Sequence, residues 1–399
     1  MLKNRDFVIV GIQPWDIGIG SNCKNIALEL SKHNRVLYIN QPLDRITSIR
    51  YRNTTDVAKR LRIINGKEDS LVKIETNLWT YYPKIIAESI NKLPDGLLYN
   101  FLNRRNNKRF AKEIRKICGQ LNFENVILFN DSLMFLGFYL KELLRPSLAI
   151  YYIRDNLTTQ EYFKKHGLQL ETLLATKYDI VVSNSDYLAQ LLAPFNKNTF
   201  MIGQGCDFTL FNPQSINSER PFELATIQSP IIGYVGFLTS MRLDINLLES
   251  LAKESKDYNI VLVGPEDEDF KSSKLHQYKN VHFIGSKPEA DLPQYINSFD
   301  VCINPQVING MTIGNYPRKV DEYLALGKPT VATRTETMEY FSEHVYLCNT
   351  SSDYIANIKI ALLENSNEKK EKRIAFALSH TWKNSVDKIY QAIEYALAK

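Results

Sequence analysis

The sequence predicts an α/β protein made of two doubly wound parallel-sheet domains. Three observations lead there. Strand-length apolar runs alternate with helix-period segments along the whole chain. The strands are apolar nearly throughout, as strands covered on both faces are. At 212–230 (NPQSINSERPFELATIQSP) the alternation breaks into a polar segment with three prolines, then restarts. With 399 residues, the chain is long enough for two or three domains.

In chain order, Phe7–Ile12 reads as a buried strand, and Ser21–His33 as a helix with Ile26, Ala27 and Leu30 on one face. Val36–Asn40, Val126–Asn130, Leu148–Ile153, Ile180–Asn184 and Thr199–Ile202 read as further strands, with helices at 132–144 and 168–176. The segment 212–230 reads as a linker. Beyond it, Ile231–Gly236, Asn259–Gly264, Val281–Gly285, Asp300–Pro305 and Pro329–Thr333 read as strands, with helices near 244–255, 290–298 and 317–326. Thr381–Ala398 closes the chain as an amphipathic helix, with Trp382, Val386, Ile389, Ile393 and Leu397 at helical spacing.

Composition narrows the function classes. Apolar residues make up 44% and charged residues 23%, an ordinary globular balance. The five cysteines form no C-x-x-C pair and the six histidines no H-E-x-x-H, which disfavours a disulfide framework and a His- or Cys-built metal site. No signal-peptide pattern and no membrane-spanning run is present, so a soluble cytoplasmic protein is expected, or one attached to the inner face of the membrane. Residues 1–210 hold 29 Lys/Arg against 20 Asp/Glu, whereas residues 211–399 hold 20 against 24. The segment 102–118 (LNRRNNKRFAKEIRKIC) concentrates Arg104, Arg105, Lys108, Arg109, Lys112, Arg115 and Lys116 against one Glu. It is either a solvated helix face or a surface attracted to an anionic leaflet or an anionic acceptor. In the membrane reading, Phe101, Phe110, Ile114 and Ile117 are expected to pack inward, giving peripheral association without insertion. No recognition helix or interleaved aromatic platform points to nucleic acid.

In open parallel sheets, ligands bind beyond the carboxyl ends of the strands. The first strand runs into Gly18-Ile19-Gly20-Ser21, where backbone N–H groups could approach an anion at the next helix, although Cys23 replaces the third glycine of a dinucleotide fingerprint. In the second domain, Pro317 and Gly327 bound a helix that places Arg318 and Lys319 in its first turn. The macrodipole disfavours cations there. Either an anion such as a diphosphate shares the site, or the two cations pair with Asp321 and Glu322. Glu322 could accept bonds from a ribose diol. Asp155, in "YYIRDN", either orients an acceptor or caps the following segment, and Asn130 and Asp131 end a neighbouring strand. The acidic run Glu266–Asp269 reads as a solvated loop in preference to a cation site.

These features together resemble the family-four retaining glycosyltransferases of GT-B fold, nearest their teichuronic-acid-type bacterial branch. The resemblance rests on "FDVCINP" and "EYLALGKPTVAT" within 299–333, "IGYVGFLTSMRLDINLL" at 232–248, "VHFIGSKPEADLPQYI" at 281–296 and "GCDFTLF" at 205–211. It implies two Rossmann-like domains facing across a cleft. Residues 1–211 with the helix 382–399 would hold the acceptor, and 231–381 a nucleoside-diphosphate sugar, linked to UDP or GDP. By the resemblance, Glu322 stands at the ribose, Arg242 and Lys319 at the diphosphate, and Gly264, Pro265 and Ile284–Pro288, Lys287 included, around the base. Gly18 and Gly20 would lie near the phosphates, and Thr312, Gly314 and Asn315 at the donor. Two positions depart from the family pattern: Gly314 replaces its first motif glutamate, and Phe237 a phosphate-binding arginine, leaving Arg242 and Lys319, with Arg318 or Arg334, to carry the charge. The implied reaction is sugar transfer to a glycan or lipid-linked acceptor of a bacterial surface polysaccharide, with Asp155, Arg242 and Lys319 as the catalytic set and no metal or other cofactor. A sugar-nucleotide 2-epimerase of the same fold, or a catalytically impaired sugar-nucleotide binder, are the alternatives.

Overall fold

The computed structural model describes residues 2–16, 21–216, 219–254 and 257–398. The chain divides into two compact units, Met1–Gly203 with Ser385–Lys399, and Gln204–Asn384.

In the first unit the strands are β1 (Asp6–Gly11), β2 (Arg35–Ile39), β3 (Leu43–Asp44), β4 (Leu71–Glu75), β5 (Leu78–Tyr81), β6 (Ile86–Ala87), β7 (Ile127–Asp131), β8 (Leu148–Ile153), β9 (Ile180–Ser183) and β10 (Thr199–Met201). Eight of them form one sheet in the order β10-β9-β8-β7-β1-β2-β5-β4, while β3 and β6 pair separately. The large sheet is parallel except that β4 runs antiparallel to β5. Phe7, Val8, Ile9 and Val10 of β1 are fully buried, which accounts for the unbroken apolar run. Order reverses between β1 and β7, where Gly11 lies beside Asp131.

The helix expected at 132–144 is two, Met134–Gly137 and Leu140–Leu144. Asn107 causes the break: its side-chain Oδ1 accepts the Tyr139 N–H at 3.0 Å, so that amide leaves the helical ladder. The basic segment lies in one helix, Leu97–Gln120, whose inner side buries Phe110, Ile114 and Ile117. Phe101 corrects the expectation. It is exposed, because it stands four residues before Arg105 and seven before Lys108, on the side that carries the cations.

The second unit has β11 (Ile231–Val235), β12 (Asn259–Val263), β13 (Val281–Gly285), β14 (Val301–Asn304), β15 (Thr330–Thr333) and β16 (Tyr346–Cys348). Their order is β13-β12-β11-β14-β15-β16, all parallel. This is the Rossmann order, three-two-one-four-five-six, with the reversal between β11 and β14. The segment read as a linker packs on this unit: Leu224 and Ile227 join its core beside the preceding Phe211, and Arg220 donates to the Ile227 carbonyl at 3.0 Å. Two core side chains in nineteen mostly polar residues were too sparse to show a period. Cys206 lies in a bridge with Thr381, and its N–H donates to the His380 carbonyl at 2.9 Å, so both strands of the crossing belong to the second unit. From Ser385 on, the last helix (Trp382–Leu397) buries Val386, Ile389 and Ile393 in the first unit, where Asn34 donates to the Tyr390 hydroxyl at 2.9 Å.

A buried carboxyl in the first unit gives its stability a pH dependence. Glu171, on the helix Gly167–Lys177, accepts the Tyr151 hydroxyl at 2.9 Å, and burial pushes its carboxyl up from 4.5 to about 7. Between those values the unfolded chain has lost the proton and the folded chain has kept it, so stability falls as pH rises through that window, by on the order of 3 kcal/mol. Glu171→Gln keeps an acceptor for Tyr151 and cannot ionise. Its melting temperature should rise relative to the unsubstituted protein as pH goes from 5 to 8; parallel melting curves would contradict the assignment.

Candidate functional site

The carboxyl ends of β11, β12 and β13 each meet a glycine in the left-handed half of backbone space: Gly236 (φ 145°), Gly264 (φ 150°) and Gly285 (φ 76°). The first two touch. A Cβ on Gly264 would lie 1.9 Å from the Gly236 carbonyl oxygen, so no side chain fits. The Gly236 N–H donates to Val263 O at 2.9 Å, and the Gly264 N–H to Gly285 O at 2.9 Å. The loop after Gly236 is stitched to both neighbours. Leu238 donates to Pro265 O at 2.8 Å, Ser240 to the Asp267 carboxylate at 2.8 Å, and Val307 to the Arg242 carbonyl at 3.0 Å. Arg242 therefore stands half-buried on a braced loop at the switch point.

Lys319 reaches the same place from the helix Arg318–Ala325. Its Nζ lies 5.0 Å from the Tyr234 ring centroid, and its Cε 3.1 Å from where a Gly236 Cβ would be. It is half-buried, and among the described residues no carboxylate lies within ion-pair distance of its ammonium. Arg318 differs. Its Nε donates to Glu322 Oε1 at 2.8 Å, and Nη2 reaches Glu289 at 3.4 Å, so it ties the helix to the loop after β13. Glu322 is buried with one oxygen held by Arg318. Asp321 turns the other way: it is fully buried, accepts the Tyr316 hydroxyl at 2.8 Å and sits 2.8 Å from His380 Nδ1. Burial raises its carboxyl, and the His380 and Tyr316 bonds oppose that rise. The two first-turn cations thus take separate roles.

The other expected donor residues are distributed as follows. Pro265 is exposed beside the braced loop, and Ile284 is half-buried at the end of β13. Lys287 forms an ion pair with Glu223 of the packed 212–230 segment, so its charge is already matched. Thr312 is buried, and its hydroxyl binds the Val307 carbonyl and accepts the Asn309 N–H at 3.0 Å, holding the loop after β14 in shape. Gly314 and Asn315 are buried on that loop. Arg334 pairs with Glu339, and Phe237 is exposed. The acidic run has local partners: Glu266 sits 2.8 Å from His276, and Asp267 caps the helix Glu268–Ser272. Gly18 and Gly20 lie outside the described residues. The chain on either side is pinned, Asp16 by Arg60 at 2.5 Å and Lys59 at 2.7 Å, and Ser21 by Gln13 at 2.6 Å.

Tyr234, Gly236, Asn304 and Gln306 escaped the sequence reading. Asn304 ends β14 at the switch point; it is fully buried, yet neither its side-chain N nor its O has a hydrogen-bond partner, and the Gln306 side-chain oxygen is in the same state. Buried amides left so are costly, and here they stand at the sheet edge where ligands bind. Three strands each ending in glycine were the legible signal for Gly236. Nothing in the sequence marked Asn304.

The first unit has its own polar cluster at the β1–β7 reversal. Asp131 is fully buried; Arg154 Nε donates to its Oδ1 at 2.9 Å, while Oδ2 has no partner. Burial raises the Asp131 carboxyl, and Arg154 opposes this. Arg154 Nη1 also reaches Asp155 Oδ2 at 3.3 Å, so one guanidinium serves two carboxylates. Asn130 is occupied within the fold, donating to the Tyr178 hydroxyl at 3.0 Å and accepting the Leu133 N–H at 2.9 Å. Close by, Ile12, Leu133, Met134, Phe135, Tyr162 and Phe163, with the polar Gln41, line a mostly apolar pocket.

Set against known proteins, residues 229–365, within the second unit, match the family described as glycosyl transferases group 1. The first unit lies outside that match. Among curated relatives, the putative teichuronic acid biosynthesis glycosyltransferase TuaH of Bacillus subtilis (strain 168) is 26% identical over 241 residues, 57% of this chain and 60% of that protein. The aligned part thus spans less than two thirds of the relative's length. Solved structures with the same GT-B fold include sucrose-phosphate synthase from Thermosynechococcus elongatus, with a TM-score of 0.70, 13% identity, and coverage of 99% of this chain and 100% of that one. Another is the α,α-trehalose-phosphate synthase (UDP-forming) from Burkholderia vietnamiensis, with a TM-score of 0.71, 10% identity, and coverage of 99% and 100%. A third is Anabaena HepE in complex with UDP, with a TM-score of 0.65, 14% identity, and coverage of 98% and 100%.

The glycine contact gives a direct test. Gly264→Ala forces two stitched turns apart and should lower stability by about 1–3 kcal/mol. Gly119→Ala, where an added Cβ meets nothing within 4 Å, should shift it by no more than about 1 kcal/mol. Equal melting temperatures for the two variants would show that the contact is dispensable.

Proposed function

We propose that this protein is a retaining glycosyltransferase. It transfers a sugar from a nucleoside-diphosphate sugar to a glycan or lipid-linked acceptor in the making of a bacterial surface polysaccharide. The observation that carries this reading is Lys319, half-buried against the Gly236 turn at the β11–β14 switch point, with no carboxylate within ion-pair distance among the described residues. A cation so placed suits a diphosphate, whose negative charge grows as the glycosidic bond breaks and which fixed charges stabilise without reorganising. Arg242, on the adjoining braced loop, supplies a second cation. Glu322, oriented by Arg318, is placed to accept from a ribose diol. The buried amides of Asn304 and Gln306 supply further hydrogen-bonding groups.

Uridine is the favoured base, since HepE is described in complexes with UDP and with UDP-glucose. The acceptor is assigned to the carboxyl edge of the first unit, where Asp155 and Asp131 share Arg154 and the apolar pocket adjoins them. Asp155 orients the acceptor hydroxyl, and the departing phosphate takes its proton. Lys319 and Arg242 supply the positive charge at the diphosphate, so no step calls for a metal ion.

Calorimetry with UDP and UDP-glucose, followed by turnover assays with and without EDTA, tests the proposal. Lys319→Ala should weaken UDP binding by about 1.5–3 kcal/mol, roughly 10- to 100-fold, with the fold unchanged. Sugar transfer or slow donor hydrolysis should survive chelation. Unchanged UDP affinity in the variant would overturn the diphosphate assignment. Release of an isomerised sugar nucleotide, or binding without turnover across an acceptor panel, would overturn transfer.

A further inference from the structure

Two helices of the first unit hold large apolar side chains in solvent beside uncompensated cations. At the start of the helix Leu97–Gln120, Leu97 is 90% exposed, Leu98 60% and Phe101 64%. Arg104, Arg105, Lys108 and Lys112 follow at three- and four-residue spacing on the same side, all exposed, and none has an ion-pair partner among the described residues. The opposite side, with Tyr99, Phe110, Ile114 and Ile117, is packed in the core. The exposed turn is held in place: the His166 ring spans the Asp95 carboxylate at 2.7 Å and the Leu93 carbonyl at 3.0 Å, and stacks on Tyr99 at 4.0 Å.

The second helix, Arg45–Arg50, buries none of its residues. Ile46 is 47% exposed, Ile49 68%, and the following Tyr51 50%, with Arg50 and Arg52 exposed among them. The segment Glu88–Ser89 joins the two helices. Ile46 N–H donates to Ser89 Oγ at 3.0 Å, and Asn106 exchanges hydrogen bonds with the Glu88 backbone, both at 2.9 Å. Of the nearby anions, Glu88 pairs with Arg45, Asp95 sits 2.7 Å from His166 Nδ1, and Asp44 is held by the Thr47 N–H at 3.1 Å and by the Ser89 hydroxyl. Both helices are thus tied to one short segment, which brings their apolar turns and cations into one region of the first unit.

We propose that this surface docks onto an anionic lipid bilayer, with Leu97, Leu98, Phe101, Ile46 and Ile49 entering the boundary between headgroups and acyl chains. Arg104, Arg105 and Lys108 lie against lipid phosphates. Apolar burial and attraction to anionic lipid reinforce each other at such an interface. The apolar part distinguishes this mode from electrostatic adhesion: salt screens the cations within a Debye length and leaves the inserted side chains unaffected. The inference rests on this surface alone, and stands whether or not the chain transfers sugars.

Sedimentation with vesicles of phosphatidylglycerol and phosphatidylcholine in equal parts, and with phosphatidylcholine alone, tests it at low salt and at about 0.5 M salt. The unsubstituted protein should bind the mixed vesicles and retain a measurable fraction at high salt. Leu97→Ser/Leu98→Ser/Phe101→Ser should lose that fraction and bind about tenfold more weakly at low salt. Arg104→Ser/Arg105→Ser/Lys108→Ser should lose the preference for the anionic vesicles. All six side chains are solvent-facing, so melting temperatures should match that of the unsubstituted protein and certify the variants as folded. The proposal is overturned if the unsubstituted protein ignores anionic vesicles at low salt. It is equally overturned if the apolar variant binds like the unsubstituted protein at every salt concentration, since attachment would then be electrostatic only.

Discussion

The constraint on which the second unit's functional edge depends is the contact between the Gly236 carbonyl and the α-carbon of Gly264. Two strand ends meet so closely that neither residue can carry a side chain: one at Gly264 would strike the Gly236 oxygen, and one at Gly236 would meet the Tyr234 hydroxyl and the stem of Lys319. Because the turns touch, the loop Phe237–Leu243 can hydrogen-bond to the loops that follow β12 and β14. This bracing fixes the backbone that carries Arg242. It also opens the space that the Lys319 side chain crosses to reach the switch point. A sheet edge built this way is set by backbone contacts, and its charged side chains arrive on a rigid frame.

How the helix Arg318–Ala325 is anchored explains why two adjacent cations behave differently. Asp321 is the buried post. Its bonds to Tyr316 and His380 hold the helix against the segment leading to the last helix, and Tyr340 meets the other His380 nitrogen at 3.0 Å. Removing one partner from such a buried hydrogen-bonded set leaves a polar group unsatisfied, which typically costs about 1–3 kcal/mol. With the helix fixed in rotation, Arg318 faces Glu322 and Glu289, and Lys319 faces the glycine turn. Of the carboxylate pairing that the sequence offered for this turn, Arg318 with Glu322 forms, whereas Lys319 has no carboxylate within ion-pair distance among the described residues.

The fold was legible because its strands are buried on both faces and so are apolar without interruption; β1, β8 and β11 are examples. Elements without that signature were missed. β4 is an edge strand with exposed residues, and β16 is three residues long. At the site, the glycines and first-turn cations could be read from type and spacing. Pairing could not: that Lys287 meets Glu223, sixty-four residues earlier, is a fact of packing. Phe101 was misplaced for a related reason. An aromatic residue among cations was assumed to face the core, although its spacing from Arg105 and Lys108 already placed it outside. The segment 212–230 looked like a linker because its two anchoring side chains, Leu224 and Ile227, stand among polar neighbours.

The central claim is that the carboxyl edge around Gly236 and Lys319 holds a nucleoside diphosphate. Hydrogen–deuterium exchange of the whole protein with and without saturating UDP tests it most directly, because protection reports the contacted backbone independently of turnover. The account requires slower exchange in the segments 236–243 and 305–322, with the strands of the first unit's sheet unaffected. Protection confined to other segments, or none at a UDP concentration that calorimetry shows to be saturating, would contradict it.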